Sequence, residues 1–521
     1  MSNAAVTHTE PATLAELVAR DAKTNPSRTA LIFEERTYTF AELDATIEAA
    51  ADAFASAGVK HGDRVALMCG NTPLFIAAYY GALRLGAVVV PVNPMYRRTE
   101  IEHILRDSEP SAALVEGDLW SEVADAYASC DIGCVAVSGG PPPAEPARVW
   151  EDLVRDAAPR GAVPGPVPTD LAALVYTSGT TGNAKGAMHS HATLLANTRQ
   201  AGQLERRFVR ADDRVLLVVP LCHMFGMQSG LNALFRVGGS VVLMRRFHAA
   251  DALALIERYR CTFLFGAPPM FVRWVAMPEL RAHDLSSLRV VSTGAAPLKA
   301  SVLDTFREAT GVSVSESYGL TEAGPTSHSN SAGPFDRAGT VGPVVTDVEC
   351  RLVDPSTGRD VAVGEPGEIL LRSPGLMLGY WRNPKATAET LRDGWLHTGD
   401  VAVVDADGYY TIVDRLKDMI SAGGFKVWPL EVETALLDHP AIDDVAIVGI
   451  PHADAGERPM AFVVRAAGSP LTAQEVVDFA QRSLAKYKAP VRVEFIDALP
   501  RSSTGKVLRR ELRERARMLT V

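Results

Sequence analysis

The chain has few cysteines, no long apolar run and no excess of positive charge. Six cysteines are scattered along 521 residues, so neither a disulfide framework nor a zinc site with paired cysteines is expected. This favours a reducing compartment, and we predict a cytoplasmic protein. The net charge of −10 argues against non-specific nucleic-acid binding, although an acidic protein can still contain a basic local site.

No stretch has the pattern of a membrane span or a secretion signal. The best candidate for a span, residues 79–92, is short and contains Arg84, whereas a spanning helix needs about 20 apolar residues. The first twelve residues are polar and lack the apolar centre of a signal peptide. The sequence therefore predicts no transmembrane segment, and it leaves peripheral membrane contact open.

The apolar pattern predicts a layered α/β fold. Continuous apolar runs such as Arg64–Met68 alternate with amphipathic helical stretches, which is typical of buried parallel strands. Residues 340–410 change to short strands and turns, and the remainder has the pattern of a small α+β domain. We predict a large N-terminal domain, residues 1–415, of layered α/β subdomains plus a β-rich subdomain, and a small mobile α+β domain, residues 416–521.

A glycine- and hydroxyl-rich segment, residues 176–186, follows the apolar run Leu171–Tyr176. Its backbone N–H groups, its hydroxyls and Lys185 are suited to binding a polyphosphate. The spacing is not that of a Walker loop, in which Gly-Lys-Ser/Thr opens a helix. Here Gly186 follows the lysine and a second short strand comes next. We predict a phosphate-binding loop between two strands, and a plain surface turn is the alternative.

Six further segments follow this loop in a fixed order, and together they carry a family resemblance. They are residues 220–226 (Pro-Leu-Cys-His-Met-Phe-Gly), 292–297 (Ser-Thr-Gly-Ala-Ala-Pro), 317–322 (Ser-Tyr-Gly-Leu-Thr-Glu), 394–400 (Gly-Trp-Leu-His-Thr-Gly-Asp), 414–420 (Asp-Arg-Leu-Lys-Asp-Met-Ile) and 500–506 (Pro-Arg-Ser-Ser-Thr-Gly-Lys). With the loop they resemble the adenylate-forming superfamily of acyl-CoA synthetases, peptide-synthetase adenylation domains and luciferases. The resemblance spans nearly the whole chain and is greatest to the fatty-acyl- and aryl-CoA ligases.

The resemblance implies an AMP-forming acid–thiol ligase that works in two steps. A carboxylic acid and ATP give acyl-AMP and pyrophosphate, and acyl-AMP and coenzyme A then give acyl-CoA and AMP. The first step brings two anions together, so its transition state needs cations and a metal ion. The expected cofactors are ATP, Mg²⁺ and coenzyme A as a co-substrate.

The resemblance also implies the roles of individual residues in the nucleotide site. Glu322 is expected to bind Mg²⁺, Thr321 the α-phosphate, Tyr318 the adenine ring and Asp400 both ribose hydroxyls, with Arg415 as a second ribose or phosphate contact. A solvated loop acid is the alternative for Glu322, and a core tyrosine is the alternative for Tyr318. The other residues expected to bind ATP or AMP are Thr177, Ser178, Gly179, Thr180, Thr181, Gly182, Lys185, Gly294, Ala295, Ala296, Ser317 and Gly319.

Lys506 resembles the catalytic lysine of the first step, which bridges the carboxylate and the α-phosphate and also contacts ATP. It lies on a loop just before a helix whose arginines, Arg509, Arg510 and Arg513, are expected to form a solvated face or surface pairs. If Lys506 only belongs to that basic face, it has no catalytic role. Lys417 resembles the hinge about which the small domain rotates between the two steps.

Gly423 and Gly424 resemble the loop that lines the pantetheine tunnel, since glycines allow close backbone approach. Plant hydroxycinnamate ligases often carry lysine where Ser421 stands and glutamine where Lys426 stands. Here the charge is at position 426, which makes Lys426 a candidate for contacting a phosphate of coenzyme A.

The segments expected around the acyl group contain no charged side chain. Burying an unpaired charge is costly, so a dicarboxylate or an amino acid is disfavoured as substrate. A medium- or long-chain fatty acid is the first expectation, and an aryl acid of the benzoate or cinnamate type is the second. The alternative for His223 is a buried structural histidine. The pocket residues that the resemblance implies are His223, Phe225, Gly226, Met227, Gly294 and Gly319.

Other activities on a similar scaffold stay open. The lack of an Asp-Ser-Leu phosphopantetheine site in the chain argues against a fused synthetase module, but it leaves open that the protein loads an acyl-AMP onto a carrier protein in trans. It could be an oxidative, light-emitting enzyme. A P-loop ATPase or kinase is disfavoured by the missing Walker spacing. An oligomer is also left open.

Overall fold

The structure is a computed structural model that describes residues 10–140, 143, 147–161, 163–177, 184–202, 204, 208–294, 296, 298–452, 454–501 and 505–520. The chain divides into two compact units. Unit 1 comprises Met1–Glu349 and Leu371–Leu396, and unit 2 comprises Cys350–Leu370 and His397–Val521. The predicted boundary of a mobile domain between residues 415 and 416 stays a prediction.

The helices follow the strands closely along most of the chain. In chain order the described α-helices are α1 (Glu16–Thr24), α2 (Phe40–Ser56), α3 (Pro73–Arg84), α4 (Arg98–Ser108), α5 (Gly117–Ala128), α6 (Trp150–Asp156), α7 (His191–Gly202), α8 (Ala233–Arg236), α9 (Ala249–Tyr259), α10 (Pro268–Val275), α11 (Ala300–Thr310), α12 (Pro384–Thr390), α13 (Pro429–Leu437), α14 (Ala473–Ser483) and α15 (Arg509–Thr520). A π-helix covers Phe225–Asn232, and 3-10 helices cover Pro278–Ala282, Asn330–Ala332 and Leu416–Asp418.

The strands are short and mostly buried. In the same residues they are β1 (Thr29–Phe33), β2 (Arg36–Thr39), β3 (Arg64–Met68), β4 (Val88–Pro91), β5 (Ala112–Glu116), β6 (Cys134–Ser138), β7 (Arg148–Val149), β8 (Leu171–Thr177), β9 (Lys185–Ser190), β10 (Arg214–Leu217), β11 (Ser240–Leu243), β12 (Phe263–Gly266), β13 (Val290–Thr293), β14 (Val314–Leu320), β15 (Gly324–Ser329), β16 (Glu349–Val353), β17 (Gly367–Arg372), β18 (Leu391–Arg392), β19 (Trp395–Val404), β20 (Tyr410–Arg415), β21 (Ile420–Ala422), β22 (Phe425–Val427), β23 (Ile442–His452), β24 (Gly456–Arg465) and β25 (Arg492–Phe495).

Unit 1 is built on two sheets whose interior strands are parallel. The first sheet has the order β7-β6-β5-β3-β4-β8-β9, and only β9 runs antiparallel to its neighbour. The second has the order β15-β14-β13-β12-β10-β11-β1-β2, with antiparallel strands β15 and β2 at its edges. The mixed α/β class predicted from the alternating apolar runs is confirmed.

Helix α3 shows how the sequence dictates burial in this unit. Every residue from Phe75 to Arg84 is buried, which suits a helix that is apolar on all sides. Its one charged residue, Arg84, forms ion pairs with Asp44 and Glu48, because a buried cation needs a partner. None of the helices in the described residues is both long and apolar enough to cross a bilayer.

Unit 2 contains a small α+β core, as the sequence predicts for the C-terminal region. The sheet of this core has the order β22-β21-β24-β23, and β25 pairs in parallel with β24; strands β16, β17, β19 and β20 belong to a separate sheet with the order β16-β17-β19-β18, in which β20 pairs with β19. Side chains of the core sheet and of helices α13 and α14 share one core cluster, which includes Val432, Ile447 and Val476. A second cluster, with Phe462 and Leu512, lies under α15.

Candidate functional site

Three parallel strands of the second sheet of unit 1 end in segments that the sequence singled out. Strand β10 leads into residues 220–226, β13 into Gly294, and β14 into Thr321 and Glu322. Strands β13 and β14 are direct neighbours, with Thr293 paired to Glu316. Ligands of parallel α/β sheets bind outside the carboxyl ends of the strands, so these segments lie at the edge where a ligand site is expected.

The predicted phosphate loop connects two antiparallel strands. Thr177 and Lys185 face each other across β8 and β9 at the base of the loop, so the lysine opens a strand and not a helix, as predicted. The predicted contacts of Ser178, Gly179, Thr180, Thr181 and Gly182 lie outside the described residues. His103 of α4 supports the far end of the loop, because its Nε2 lies 2.7 Å from the carbonyl oxygen of Ala184.

Strand β9 is joined to the segment that carries Glu322. His189 Nε2 donates to the carbonyl oxygen of Thr321 at 2.9 Å, and burial lowers the pKa of His189 to about 4, so this histidine is neutral. The Tyr380 hydroxyl donates to Glu322 Oε1 at 2.8 Å, and Lys185 Nζ lies 4.9 Å from the centroid of the Tyr380 ring. The structure therefore brings Lys185, Thr321 and Glu322 into one neighbourhood.

Tyr380 is a residue that the sequence reasoning missed. Burial and the adjacent Glu322 carboxylate raise its pKa, so its hydroxyl is protonated at neutral pH. Its segment is attached by backbone hydrogen bonds from Met377 N to the Glu322 carbonyl at 2.8 Å and from Trp381 N to the Gly186 carbonyl at 2.7 Å. A buried Gly-Tyr-Trp sequence looks like core packing, and no sequence signal links it to the loop.

The neighbourhood of Glu322 fits a magnesium ion that is bound together with a nucleotide. No group of three or more His, Cys, Asp or Glu side chains that could hold a metal occurs in the part of the chain that the structure describes. Mg²⁺ is typically held by one or two carboxylates, with phosphate oxygens and water completing the shell. A single half-buried carboxylate with one oxygen hydrogen-bonded to Tyr380 is compatible with that arrangement.

The two segments predicted to enclose adenine lie side by side. A Cβ added to Gly294 would lie 3.1 Å from the carbonyl oxygen of Ser317, so a side chain at 294 would press on β14. The Ser317 hydroxyl points inward, 2.9 Å from the Ser329 hydroxyl, whereas Tyr318 is half-buried. Ala296 is also half-buried. Ala295 lies outside the described residues.

His223 stands at the start of the π-helix Phe225–Asn232. Burial lowers its pKa to about 4, so the ring is neutral at pH 7, and Asn93 Nδ2 lies 3.3 Å from its Nε2. Phe225 packs edge-on against Phe265 with ring centroids 5.6 Å apart. No charged residue occurs in this π-helix, and seven of its residues are buried.

The glycines of the implied acyl pocket have packing roles. A Cβ on Gly226 would lie 2.3 Å from the Pro220 carbonyl oxygen, and a Cβ on Gly319 would lie 2.3 Å from the Pro325 carbonyl oxygen. Met227 has no exposed surface and belongs to the main core of unit 1. These glycines therefore allow backbone segments to approach each other, and their role in an acyl pocket stays a prediction.

Asn71 is a second residue that the sequence reasoning missed. It is buried after β3, and its amide Nδ2 lies 3.0 Å from the Val218 carbonyl and 3.3 Å from the Met244 carbonyl. Its Oδ1 accepts from Leu221 N at 2.8 Å. One side chain thus anchors the segment that leads to His223. The only hint in the sequence is its place just before the helix-opening Thr-Pro pair.

In unit 2, Asp400 and Arg415 face each other across β19 and β20. Arg415 Nε lies 3.0 Å from Asp400 Oδ1, so this guanidinium orients the carboxylate that is predicted to bind ribose. Partial burial, the like charge of Arg415 and that of Lys417 lower the pKa of Lys506 to about 7, with Asp400 opposing. Lys506 as a whole is exposed, so water screens part of this effect. Burial and Arg415 also lower the pKa of Lys417 to about 8.

The described residues on either side of Lys506 contact Arg501. Arg501 donates to the Gly505 carbonyl at 2.6 Å and to Asp444 Oδ2 at 2.6 Å. Arg501 also pairs with Val507 as a β-bridge. Lys506 therefore lies between two residues, Gly505 and Val507, that both contact Arg501, and its predicted catalytic role stays a prediction.

Two arginines of α15 do not form the solvated face that the sequence suggested. Arg509 forms an ion pair with Glu433, and Arg513 forms one with Asp418. Both carboxylates are buried. Only Arg510 matches the expectation, with an exposed pair to Glu514. The prediction was wrong because charge counting along one helix does not reveal which acids lie under it.

The pair Gly423–Gly424 forms the turn of the β21–β22 hairpin. Both have positive φ, 62° and 86°, and two such residues suit the tight turn of a two-residue hairpin. Ser421 and Lys426 are paired directly across this hairpin, so a lysine at either position projects from the same face. The predicted contact of Lys426 with coenzyme A stays a prediction.

Comparison with known proteins adds the family. Residues 18–381 match the family of AMP-binding enzymes, and residues 431–506 match the AMP-binding enzyme C-terminal domain. 4-Coumarate–CoA ligase 2 of Solanum tuberosum is 36% identical over 489 residues, covering 92% of this chain and 89% of that protein. A long-chain-fatty-acid–CoA ligase of Bacillus subtilis is 33% identical, covering 96% and 94%.

Solved structures match nearly the whole chain. The anthranilate CoA ligase AuaEII in complex with anthranoyl-AMP has a TM-score of 0.90 at 30% identity, covering 98% of this chain and 99% of that one. A benzoate CoA ligase from Burkholderia xenovorans has a TM-score of 0.85 at 27% identity, covering 96% and 99%. The chain therefore belongs to the AMP-binding enzymes, in the acyl-CoA synthetase branch of the adenylate-forming superfamily.

Proposed function

We propose that this AMP-forming acid–thiol ligase activates an uncharged, apolar carboxylic acid, with a medium- or long-chain fatty acid as its substrate. The acid and ATP would give acyl-AMP and pyrophosphate, and coenzyme A would then take the acyl group and release AMP. The observation that carries the proposal is the absence of charge at His223 and in the adjoining π-helix: the ring is uncharged at pH 7, and Phe225–Asn232 contains no charged residue. A second carboxylate or an amino group would find no charged partner in this π-helix, and burying it unpaired would be costly.

The residues of unit 1 support the first half-reaction. Lys185 and Thr177 stand at the base of the loop, where they would bind the departing pyrophosphate. Glu322 would hold Mg²⁺, which supplies charge neutralisation between the anions when it is bound. Thr321 would contact the α-phosphate. Tyr318, half-buried beside Gly294 and Ala296, would stack on adenine.

The residues of unit 2 support the ribose contact and the change of chemistry. Asp400, oriented by Arg415, would accept hydrogen bonds from the ribose diol. Lys506 would bridge the carboxylate and the α-phosphate in the first step. Lys417 would serve as the hinge, and the Gly423–Gly424 turn with Lys426 would meet coenzyme A in the second step.

An aryl acid is the second candidate substrate. It is favoured by the edge-on pair of Phe225 and Phe265, which offers aromatic surface beside His223, and by the 4-coumarate relatives. The fatty-acid proposal draws support from the Bacillus subtilis relative, which is named for long-chain fatty acids.

The test is a pyrophosphate-release screen with ATP and Mg²⁺. The acids are fatty acids of graded length, benzoate, cinnamate and 4-coumarate, with malonate and an amino acid as charged comparators. We expect turnover with apolar acids, AMP and not ADP as the nucleotide product, and an acyl-CoA that mass spectrometry identifies. Preference for malonate over every apolar acid would contradict the proposal, and ADP formation would contradict the reaction class.

The acceptor is tested in the same assay. We expect thioester formation with free coenzyme A, whereas transfer only to an added phosphopantetheinyl carrier protein would favour the loading alternative. Oxygen uptake with the acyl-adenylate would indicate the oxidative alternative. We also propose a cytoplasmic location, because six scattered cysteines favour a reducing compartment.

A further inference from the structure

Tyr380 lies between two groups to which the proposed function gives separate tasks. Its hydroxyl donates to Glu322 Oε1 at 2.8 Å, and its ring centroid is 4.9 Å from Lys185 Nζ. The first group is the proposed Mg²⁺ ligand and the second is the proposed pyrophosphate contact. One side chain thus contacts both the anionic and the cationic part of the adenylation site.

The position of this tyrosine is itself fixed by the surrounding backbone. Tyr380 forms a β-bridge with Ala187 of β9, and its backbone N–H donates to Thr387 Oγ1 at 2.9 Å. The residue has 7% of its surface exposed. Its segment is tied to Glu322 and to Gly186 on either side, as described above. The ring and the hydroxyl therefore have little freedom to follow a moving partner.

We propose that Tyr380 is a positioning residue of the adenylation step. Its hydroxyl occupies one oxygen of Glu322 and so leaves the other oxygen to face a bound metal, while its ring face receives the ammonium group of Lys185. The spacing between metal ligand and phosphate-binding cation is thereby set before the nucleotide arrives. This inference rests on the proposed function, because it concerns the site of that reaction.

The two contacts depend on different parts of the side chain and can be separated. Phenylalanine keeps the ring and its attraction for Lys185, but it removes the donor to Glu322. Leucine removes both contacts. A residue that only fills space would tolerate phenylalanine, since the volume is almost unchanged.

The experiment measures ATP binding by calorimetry with and without Mg²⁺, in the absence of any acid. In Tyr380→Phe we expect metal-free ATP affinity to stay within about twofold of wild type. The Mg²⁺ concentration that gives half of the metal-dependent gain in ATP affinity should rise by on the order of 10-fold, the scale of one hydrogen bond to a charged group. In Tyr380→Leu metal-free ATP affinity should also fall, by on the order of 5-fold.

A double-variant comparison assigns the effect to Glu322. In a Glu322→Gln background, Tyr380→Phe should cause no further change in the Mg²⁺ requirement, because the carboxylate that it orients is gone. Tyr127→Phe is the matched control: it removes another buried hydroxyl, which lies 3.6 Å from Met68 Sδ, and should leave Mg²⁺ and ATP binding unchanged. If Tyr380→Leu does not fold, Tyr380→Phe and the double variant carry the test.

The proposal is overturned by an unchanged Mg²⁺ requirement in Tyr380→Phe, or by an equal further loss in the Glu322→Gln background. It is also overturned if Tyr380→Phe slows thioester formation from supplied acyl-AMP as much as it slows pyrophosphate release. Because the calorimetry needs no acid, its result is independent of the substrate screen. Failure to activate any apolar acid would sink the substrate proposal and leave the role of Tyr380 standing.

Discussion

The lowered pKa of Lys506 predicts how the rate of adenylation depends on pH. An ordinary lysine has a pKa near 10.5, but partial burial and the neighbouring Arg415 lower that of Lys506 to about 7. Only the protonated form can stabilise the two anions. With a pKa of about 7 the charged fraction would fall by up to about tenfold per pH unit above pH 7, and by less to the extent that water screens the shift at this exposed side chain. We expect kcat/KM for ATP, which reports the free enzyme, to fall in that proportion above pH 7.

Two variants test whether Lys506 causes this fall in kcat/KM above pH 7. Lys506→Arg keeps its charge throughout the range, so its kcat/KM should stay level between pH 7 and pH 9 even if its absolute value is lower. Lys506→Ala should lose on the order of 10²–10³ in pyrophosphate release and largely keep thioester formation from supplied acyl-AMP. Lys486→Ala, which removes an exposed lysine of the same unit, is the control and should match wild type.

The neighbours of Lys506 supply a further check. Lys417→Met removes one of the like charges that lower the pKa, so it should move the descending limb to higher pH without abolishing it. The fall in kcat should also occur at a higher pH than the fall in kcat/KM, because bound phosphates favour the charged form of the lysine. A wild-type profile that stays flat from pH 7 to pH 9, or the same limb in Lys506→Arg, would refute this reasoning.

Two other predictions concern packing around the site. Arg509→Met should lower the free energy of unfolding, measured by urea denaturation, by about 3 kcal/mol, because it leaves the buried Glu433 without its partner. Arg510→Met is the control: its ion pair is exposed, so the free energy of unfolding should change by less than about 0.5 kcal/mol. Equal effects of the two variants would contradict the burial argument. Gly226→Ala would place a Cβ 2.3 Å from the Pro220 carbonyl oxygen. We therefore expect the free energy of unfolding to fall by about 1–3 kcal/mol and kcat/KM for the acid to fall at least about tenfold. Gly165→Ala, whose Cβ would meet no atom within 4 Å, is the control and should change neither the thermal melt nor the turnover.

Much of the fold follows from local patterns. Strands such as Arg64–Met68 have the bounds that the apolar pattern predicts, because buried strands and amphipathic helices differ in the period of their apolar residues. The π-helix Phe225–Asn232 was not predicted. Its apolar and small residues suit several helical geometries, and tight packing of Gly226 against the Pro220 carbonyl is a tertiary effect.

The candidate site was only partly predictable for a similar reason. Lys185, Glu322, Asp400 and Lys506 stand in segments of distinctive composition, so the motif order identified them. The contacts that orient them come from far along the chain. Tyr380 reaches Glu322 across 58 positions, and no local pattern encodes such a pairing.

The sequence by itself determined the family, the α/β class and the residues proposed for the chemistry, because each depends on residue types at short spacing. Only the tertiary structure decided which groups share an environment. It paired Asp400 with Arg415, placed the ring of Tyr380 beside Lys185, and turned two arginines of the last helix towards buried acids. Electrostatic and packing energies depend on distance in space, and spacing along the chain does not report that distance.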